Sequence, residues 1–157
     1  MESPSPSLTF REMCRDDVQN VVRLLADDRL GQAREASGDT GDPAYLEAFD
    51  VIERDSNNRL IVADLDGEVI GCMQLTTIPH LTFKGGTRLQ IEGVRVDKAF
   101  RGQKVGAAMI DWAIAFARAA GCHLVQLTSN RDRDDALRFY EGCGFRPSHI
   151  GFKHYLS

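Results

Sequence analysis

The sequence contains no apolar run long enough to cross a bilayer, which excludes a helical membrane span. Its first residues, Met1-Glu2-Ser3-Pro4-Ser5-Pro6-Ser7, have neither a basic start nor an apolar stretch. That excludes a secretory signal and reads as a short disordered tail over residues 1–7 of a cytoplasmic protein. There is no surplus of basic charge: 19 Lys and Arg against 23 Asp and Glu give a net charge of −4, which argues against a general nucleic-acid binder. Cys14, Cys72, Cys122 and Cys143 form no C-x-x-C pair and read as free thiols, with a reactive Cys143 the less favoured alternative. His80, His123 and His154 lack metal-ligand spacing, so no metal site is expected. Neither G-x-x-x-x-G-K-[ST] nor a post-strand G-x-G-x-x-G occurs, which excludes two familiar phosphate loops.

What is present is the composition of one globular domain, residues 8–157, with 43% hydrophobic and 27% charged residues. Leu8–Met13 reads as a strand, and Asp16-Asp17 opens a helix burying Val18, Val21, Val22 and Leu25. Gly31–Gly41 reads as a mobile connection. Asp42-Pro43 is an N-cap and first helical residue, followed by the stripe Tyr45, Ala48, Phe49 and Ile52. Asp66-Gly67 joins strands Leu60–Leu65 and Glu68–Thr77 in a hairpin. Ile78–Thr87 reads as loop, Cys122–Thr128 as a short central strand, and Arg146–Tyr155 as one or two further strands. The order β-α-α-β-β-β-α-β-α-β gives an α/β (α+β) domain with one mixed sheet and helices on both faces.

Chemistry concentrates between Arg88 and Phe145. Arg88–Val96 alternates as a strand, with Leu89, Ile91, Gly93 and Arg95 on one face and Gln90, Glu92, Val94 and Val96 on the other. Gly93 marks either a bulge or a glycine tolerated by packing. From Val105 the period becomes helical: Val105, Ala108, Met109, Trp112, Ala113 and Phe116 share a face, and Ile110, Ile114 and Ala117 form a second strip. The turn Arg101-Gly102-Gln103-Lys104-Val105-Gly106 therefore opens a helix N-terminus, where unpaired N–H groups favour an anion. Gly102 and Gly106 are expected to allow positive φ and close approach, and Arg101 and Lys104 add charge.

Arg101-Gly102-Gln103-Lys104-Val105-Gly106-Ala107 resembles the [QR]-x-x-G-x-[GA] acetyl-CoA signature of the GNAT N-acetyltransferases. Asp135-Ala136-Leu137-Arg138-Phe139-Tyr140 with Cys143-Gly144-Phe145 resembles that family's A-x-x-[FL]-Y-x-x-x-G-F segment, and Ile91–Val96 its preceding strand. Two residues depart from the pattern: Lys104 replaces a central glycine, and Arg133 stands where many members carry asparagine. The resemblance implies a mostly antiparallel sheet, splayed between the strands at Arg88–Val96 and Cys122–Thr128 to admit the pantetheine of acetyl-CoA. It further implies acetyl transfer to a primary amine by direct attack on the thioester.

In that reading Glu92 is the base that takes the amine proton. Val94 N–H is the oxyanion donor, and Tyr140 is the acid for the departing thiolate. Arg95, Val96, Arg101–Ala107, Asn130, Arg133 and Ala136 would line the cofactor. Each has an ordinary alternative: a surface glutamate, a core tyrosine, an asparagine that only makes a turn. The stretch from Thr128 to Tyr140 with Ser148-His149 is similar to the aminoalkylphosphonate-acetylating members, so Arg131, Arg133 and His149 either bind a small anionic amine or are solvated charges. A small-molecule amine is the expected partner, with a homodimer allowed. The competing classes are a non-catalytic acyl-CoA-binding module and a protein or peptide N-acetyltransferase.

Overall fold

The computed structural model describes residues 7–27 and 41–156. The expected tail through Pro6 and the connection through Thr40 lie outside the described residues. Ser7 is tied to the hairpin: its N–H donates to Asp66 Oδ1 at 3.2 Å.

The elements are β1 (Leu8–Glu12), a 3-10 turn (Arg15–Asp17), α1 (Val18–Ala26), α2 (Pro43–Arg54), β2 (Asn58–Leu65), β3 (Glu68–Pro79), a single helical turn (Thr82–Gly85), β4 (Thr87–Val96), a second 3-10 turn (Lys98–Phe100), α3 (Val105–Ala119), β5 (Leu124–Leu127) and α4 (Asp134–Gly142). The expected loop over Ile78–Thr87 is thus shorter, because β3 runs on to pair Pro79 with Thr87. Asp42 caps α2 as expected, its Oδ1 accepting from Ala44 N–H at 2.9 Å.

The five strands lie in the order β1-β2-β3-β4-β5, antiparallel except for the parallel pair β4–β5. One face carries α1 and α2. Val21 and Leu24 pack on Val62, Val69 and Cys72, while Val18 and Val22 meet Phe49 of α2. Because α1 serves two partners its apolar stripe is wide, and Leu24 is buried beside the expected Leu25, which packs half-buried on the same cluster. On α2, Leu46 packs inward while Ala48 is exposed. The other face carries α3, whose Val105, Met109, Ile110, Ala113 and Ala117 bury against Ile61, Met73, Leu75, Leu89 and Ile91.

Two expectations are corrected. Residues 146–156 form no strand, and their Ile150 and Phe152 are 72% and 92% exposed. Alternating apolar residues make a strand only where a neighbouring edge pairs with them. The strand expected at Cys122–Thr128 and read as central is β5, Leu124–Leu127, and it is one of the two edge strands among the described residues.

The register of β3 on β4 places Cys72 opposite Arg95 and Gln74 opposite Glu92, so Gly93-Val94 together face Met73. This is a bulge, and Gly93 takes the left-handed φ of +62° that it requires. The extra residue reverses the alternation beyond it. Val94 and Val96 join Leu89 and Ile91 on the α3 face, contrary to the simple alternation expected from the sequence.

Candidate active site

The site begins where β4 ends. Asp97 Oδ1 accepts from Ala99 N–H at 2.9 Å and so closes the short 3-10 turn. Arg101 Nε donates to Val96 O at 3.0 Å, and Gln103 Nε2 donates to Ala99 O at 3.0 Å, which fastens the turn to the strand it leaves. Gly102 has φ +78° and Lys104 φ +65°. Lys104 therefore keeps the left-handed conformation that a glycine would adopt freely, at a cost of roughly 1–2 kcal/mol. The first bond of α3 runs from Ala108 N–H to Lys104 O at 3.0 Å. The N–H groups of Val105, Gly106 and Ala107 precede it, so no helical carbonyl serves them and they suit an anion.

Gly106 differs from expectation. It is the second residue of α3 and has no positive φ. Its smallness is needed for space instead, because a Cβ there would stand 3.2 Å from Phe139 Cζ of α4 and 3.7 Å from Val96 Cγ2.

The β4–β5 ladder runs from Arg88–Leu124 to Ile91–Leu127 and then stops, while β4 continues to Val96. The segment Glu92–Val96 thus has no β5 partner, and the sheet opens there. Val94 lies in this segment directly after the bulge; its carbonyl accepts from Arg95 Nη1 at 2.8 Å.

Tyr140 is half-buried on the α3 face, in the cluster that holds Val94 and Val96. Its position is set by the end of α4. Phe145 N–H donates to Tyr140 O at 3.0 Å and Gly144 N–H to Glu141 O at 2.9 Å. Gly144, with φ +90°, permits this reversal. The reversal folds Phe145 back against Tyr140, edge to face at 6.0 Å, with Phe139 at 5.1 Å. Burial raises the Tyr140 phenol above its ordinary value, opposed by the charges of Arg133 and Arg95 and reinforced by Cys143. The phenol is therefore protonated at neutral pH and able to donate.

Glu92 lies on the opposite face, exposed, before the bulge. The same strand face carries Arg88 and Gln90, and the register sets Gln126 of β5 beside Gln90. Arg88 Nη1 donates to Gln126 Oε1 at 3.0 Å, and Gln126 Nε2 donates to Gln90 Oε1 at 2.7 Å. The hydrophobic clusters of this face involve α1, α2, β2 and β3 but no residue of Arg88–Glu92 or β5. The sequence reading did not single out this polar row. Its traces were present, with Gln90 and Glu92 alternating against apolar neighbours and Gln126 interrupting an apolar strand.

The remaining candidates are dispersed. Asn130 Oδ1 accepts from Asp132 N–H at 3.0 Å and Asn130 O from Arg133 N–H at 3.1 Å, so the residue forms the turn into α4. Arg133 is the N-cap residue of α4, close enough to Tyr140 for its charge to act there, and Ala136 is half-buried one turn on. Arg131 is exposed, and exposed His149 shares a 2.7 Å contact between its Nδ1 and Ser148 Oγ. No hydrogen bond or ion pair among the described residues joins Arg131 to His149. The four cysteines are free thiols, and burial pushes Cys72 up to about 12 and raises Cys143, which favours the protonated thiol at both.

Comparison with known proteins agrees with this fold. The chain is 35% identical over 151 residues to an aminoalkylphosphonate N-acetyltransferase of Salmonella typhimurium, spanning 96% of this chain and 93% of that protein. It is 36% identical over 80 residues to a glucosamine 6-phosphate N-acetyltransferase of Trypanosoma brucei brucei, about half of each chain (51% and 52%). Among solved structures, one described as a transcriptional regulator from Bacillus halodurans superposes with a TM-score of 0.92 at 45% identity, covering 96% of this chain and all of that one. Residues 21–145 match the model of the acetyltransferase (GNAT) family, and the chain belongs to that family.

Proposed function

We propose that the protein transfers an acetyl group from acetyl-CoA to the primary amine of a small molecule that carries an oxyanion. The observation that carries this reading is the opening of the sheet beyond Ile91 and Leu127, with Tyr140 on one face of the opening and Glu92 on the other.

The residues present fit acetyl-CoA. The N–H groups of Val105, Gly106 and Ala107, with Lys104 and Arg101, suit its pyrophosphate, and the main chain of Val94, Arg95 and Val96 borders the opening. When bound, it supplies an acetyl group activated as a thioester. Glu92 takes the proton of the ammonium group, directly or through water, and so frees the nitrogen lone pair for the new N–C bond. Val94 N–H supports the carbonyl oxygen as charge builds on it. Tyr140 gives its phenolic proton to the sulfur as the C–S bond breaks, and the second proton leaves the acetylated nitrogen for the phenolate oxygen, directly or through water. Two relatives support the acceptor class, since their names specify an aminoalkylphosphonate and an amino sugar phosphate. Arg131 and His149 remain candidate contacts for the oxyanion.

The test is acetyl-CoA-dependent thiol release with aminoalkylphosphonates, amino sugar phosphates, neutral amines, aminoglycosides and lysine peptides. Turnover is expected with the oxyanion-bearing small amines. Acetyl-CoA binding with no turnover on any amine would indicate a non-catalytic module, a class to which the likeness to a transcriptional regulator gives some weight. Turnover confined to peptides would indicate protein acetylation.

A further inference from the structure

We infer that Gln90 is the specificity-determining residue for the acceptor's oxyanion and that Arg88 and Gln126 are positioning residues that fix which end of the Gln90 amide is presented. The inference deepens the proposed function and rests on it.

The argument follows from donor and acceptor inventory. A guanidinium has five N–H donors and no acceptor. Facing Arg88 Nη1 at 3.0 Å, Gln126 must present its carbonyl oxygen. Its amide nitrogen is then directed to Gln90 at 2.7 Å, and Gln90 must answer with its own carbonyl oxygen. An arginine at the base of the row therefore dictates both amide orientations, and the row ends in the Gln90 NH₂ group. One N–H of that group has a weak contact to Ile91 O at 3.5 Å. The other is left to donate.

Gln90 precedes Glu92 by two residues on one face of β4, about 7 Å along the strand. That spacing suits an amine and an oxyanion separated by one or two carbons, with a hydrogen bond at each end. The row is also under-satisfied: Arg88 Nε is covered and has no hydrogen-bond partner among the described residues. Covered donors without a partner are uncommon in folded proteins.

The variants are Gln90→Leu, Gln90→Glu, Arg88→Lys and Arg88→Gln. Each is assayed with 2-aminoethylphosphonate and with ethanolamine, a neutral acceptor of similar length. Gln90→Leu should raise KM for the phosphonate roughly 10- to 100-fold, with kcat, acetyl-CoA affinity and the ethanolamine KM little changed. Gln90→Glu should repel the phosphonate further and move the preference towards ethanolamine. Arg88→Lys, still donor-only, should keep wild-type selectivity, whereas Arg88→Gln frees the amides to turn and should lower it. Wild-type turnover with unchanged phosphonate-to-ethanolamine selectivity in folded Gln90→Leu and Gln90→Glu would overturn the inference alone. No turnover of either amine by the wild type would overturn the proposed function and the inference with it.

Discussion

The two faces of β4 are built from the same ten residues to opposite ends. Towards α3, Leu89 and Ile91 are buried and Val94 and Val96 follow them into the cluster that holds Tyr140. Towards the face that carries α1 and α2, Arg88, Gln90 and Glu92 form a polar row, with Arg88 and Gln90 half-buried and Glu92 exposed. In the proposed function the first face is the wall for the leaving sulfur, and the second is the entry for a polar amine. The bulge at Gly93 permits both, because it turns Val94 inward without moving Glu92 from the open face. A strand that only held the sheet together would have no reason to keep one face so polar.

This division is broken most severely on the buried face. Tyr140→Phe keeps the ring packed on Phe139 and Phe145 and removes only the hydroxyl. Stability should change little, while kcat should fall roughly 10²–10⁴-fold when the chemical step limits turnover. Unaltered turnover under that condition would make Tyr140 a packing residue. The phenol should also ionise above pH 10, the usual tyrosine value, which absorbance titration of wild type against Tyr140→Phe measures.

Glu92→Gln tests the open face. Acetyl-CoA binding should persist and kcat/KM for the amine should fall, roughly 10²-fold or more at neutral pH. The loss should shrink as pH rises, because more of the amine is already deprotonated. A loss constant across pH would reassign Glu92 to substrate positioning.

Gly106→Asp acts where the two motifs meet. Its Cβ would stand 3.2 Å from Phe139, and its carboxylate would add negative charge in the first turn of α3, next to the proposed phosphate site. Acetyl-CoA affinity should fall by about tenfold or more, with a stability loss of about 1–3 kcal/mol from crowding. Unchanged affinity in a folded variant, measured by calorimetry, would move the phosphate site elsewhere. The smallest effect belongs to Lys104→Gly. Relief of the left-handed lysine should raise stability by about 0.5–1 kcal/mol in thermal unfolding, and the lost charge should weaken acetyl-CoA binding severalfold. A destabilised variant would mean that Lys104 is held by contacts worth more than its strain.

Features decided by local chemistry were legible in the sequence. The Asp66-Gly67 hairpin, the cap at Asp42, the onset of α3 and the glycine stop after α4 each follow from a few adjacent residues. What required the assembled sheet was not. The face of Val94 depends on a bulge that Gly93 suggested but only the Cys72–Arg95 register establishes. The alternation in Arg146–Tyr155 could not reveal that no strand edge receives it. The Arg88–Gln126–Gln90 row needs β5 placed in register against β4, a contact between residues 36 and 38 positions apart. Asn130, read as a cofactor contact or a turn, has its side chain engaged in the turn.

The measurement that tests the division most directly is amide chemical-shift mapping of the labelled protein with CoA and, separately, with 2-aminoethylphosphonate. CoA should shift the main-chain signals of Val105, Gly106 and Ala107. The amine should shift the side-chain NH₂ signals of Gln90 and Gln126. An amine that leaves both glutamines unmoved and instead shifts residues around Arg131 and His149 would contradict the account, because the polar face of β4 would then not be where the acceptor binds.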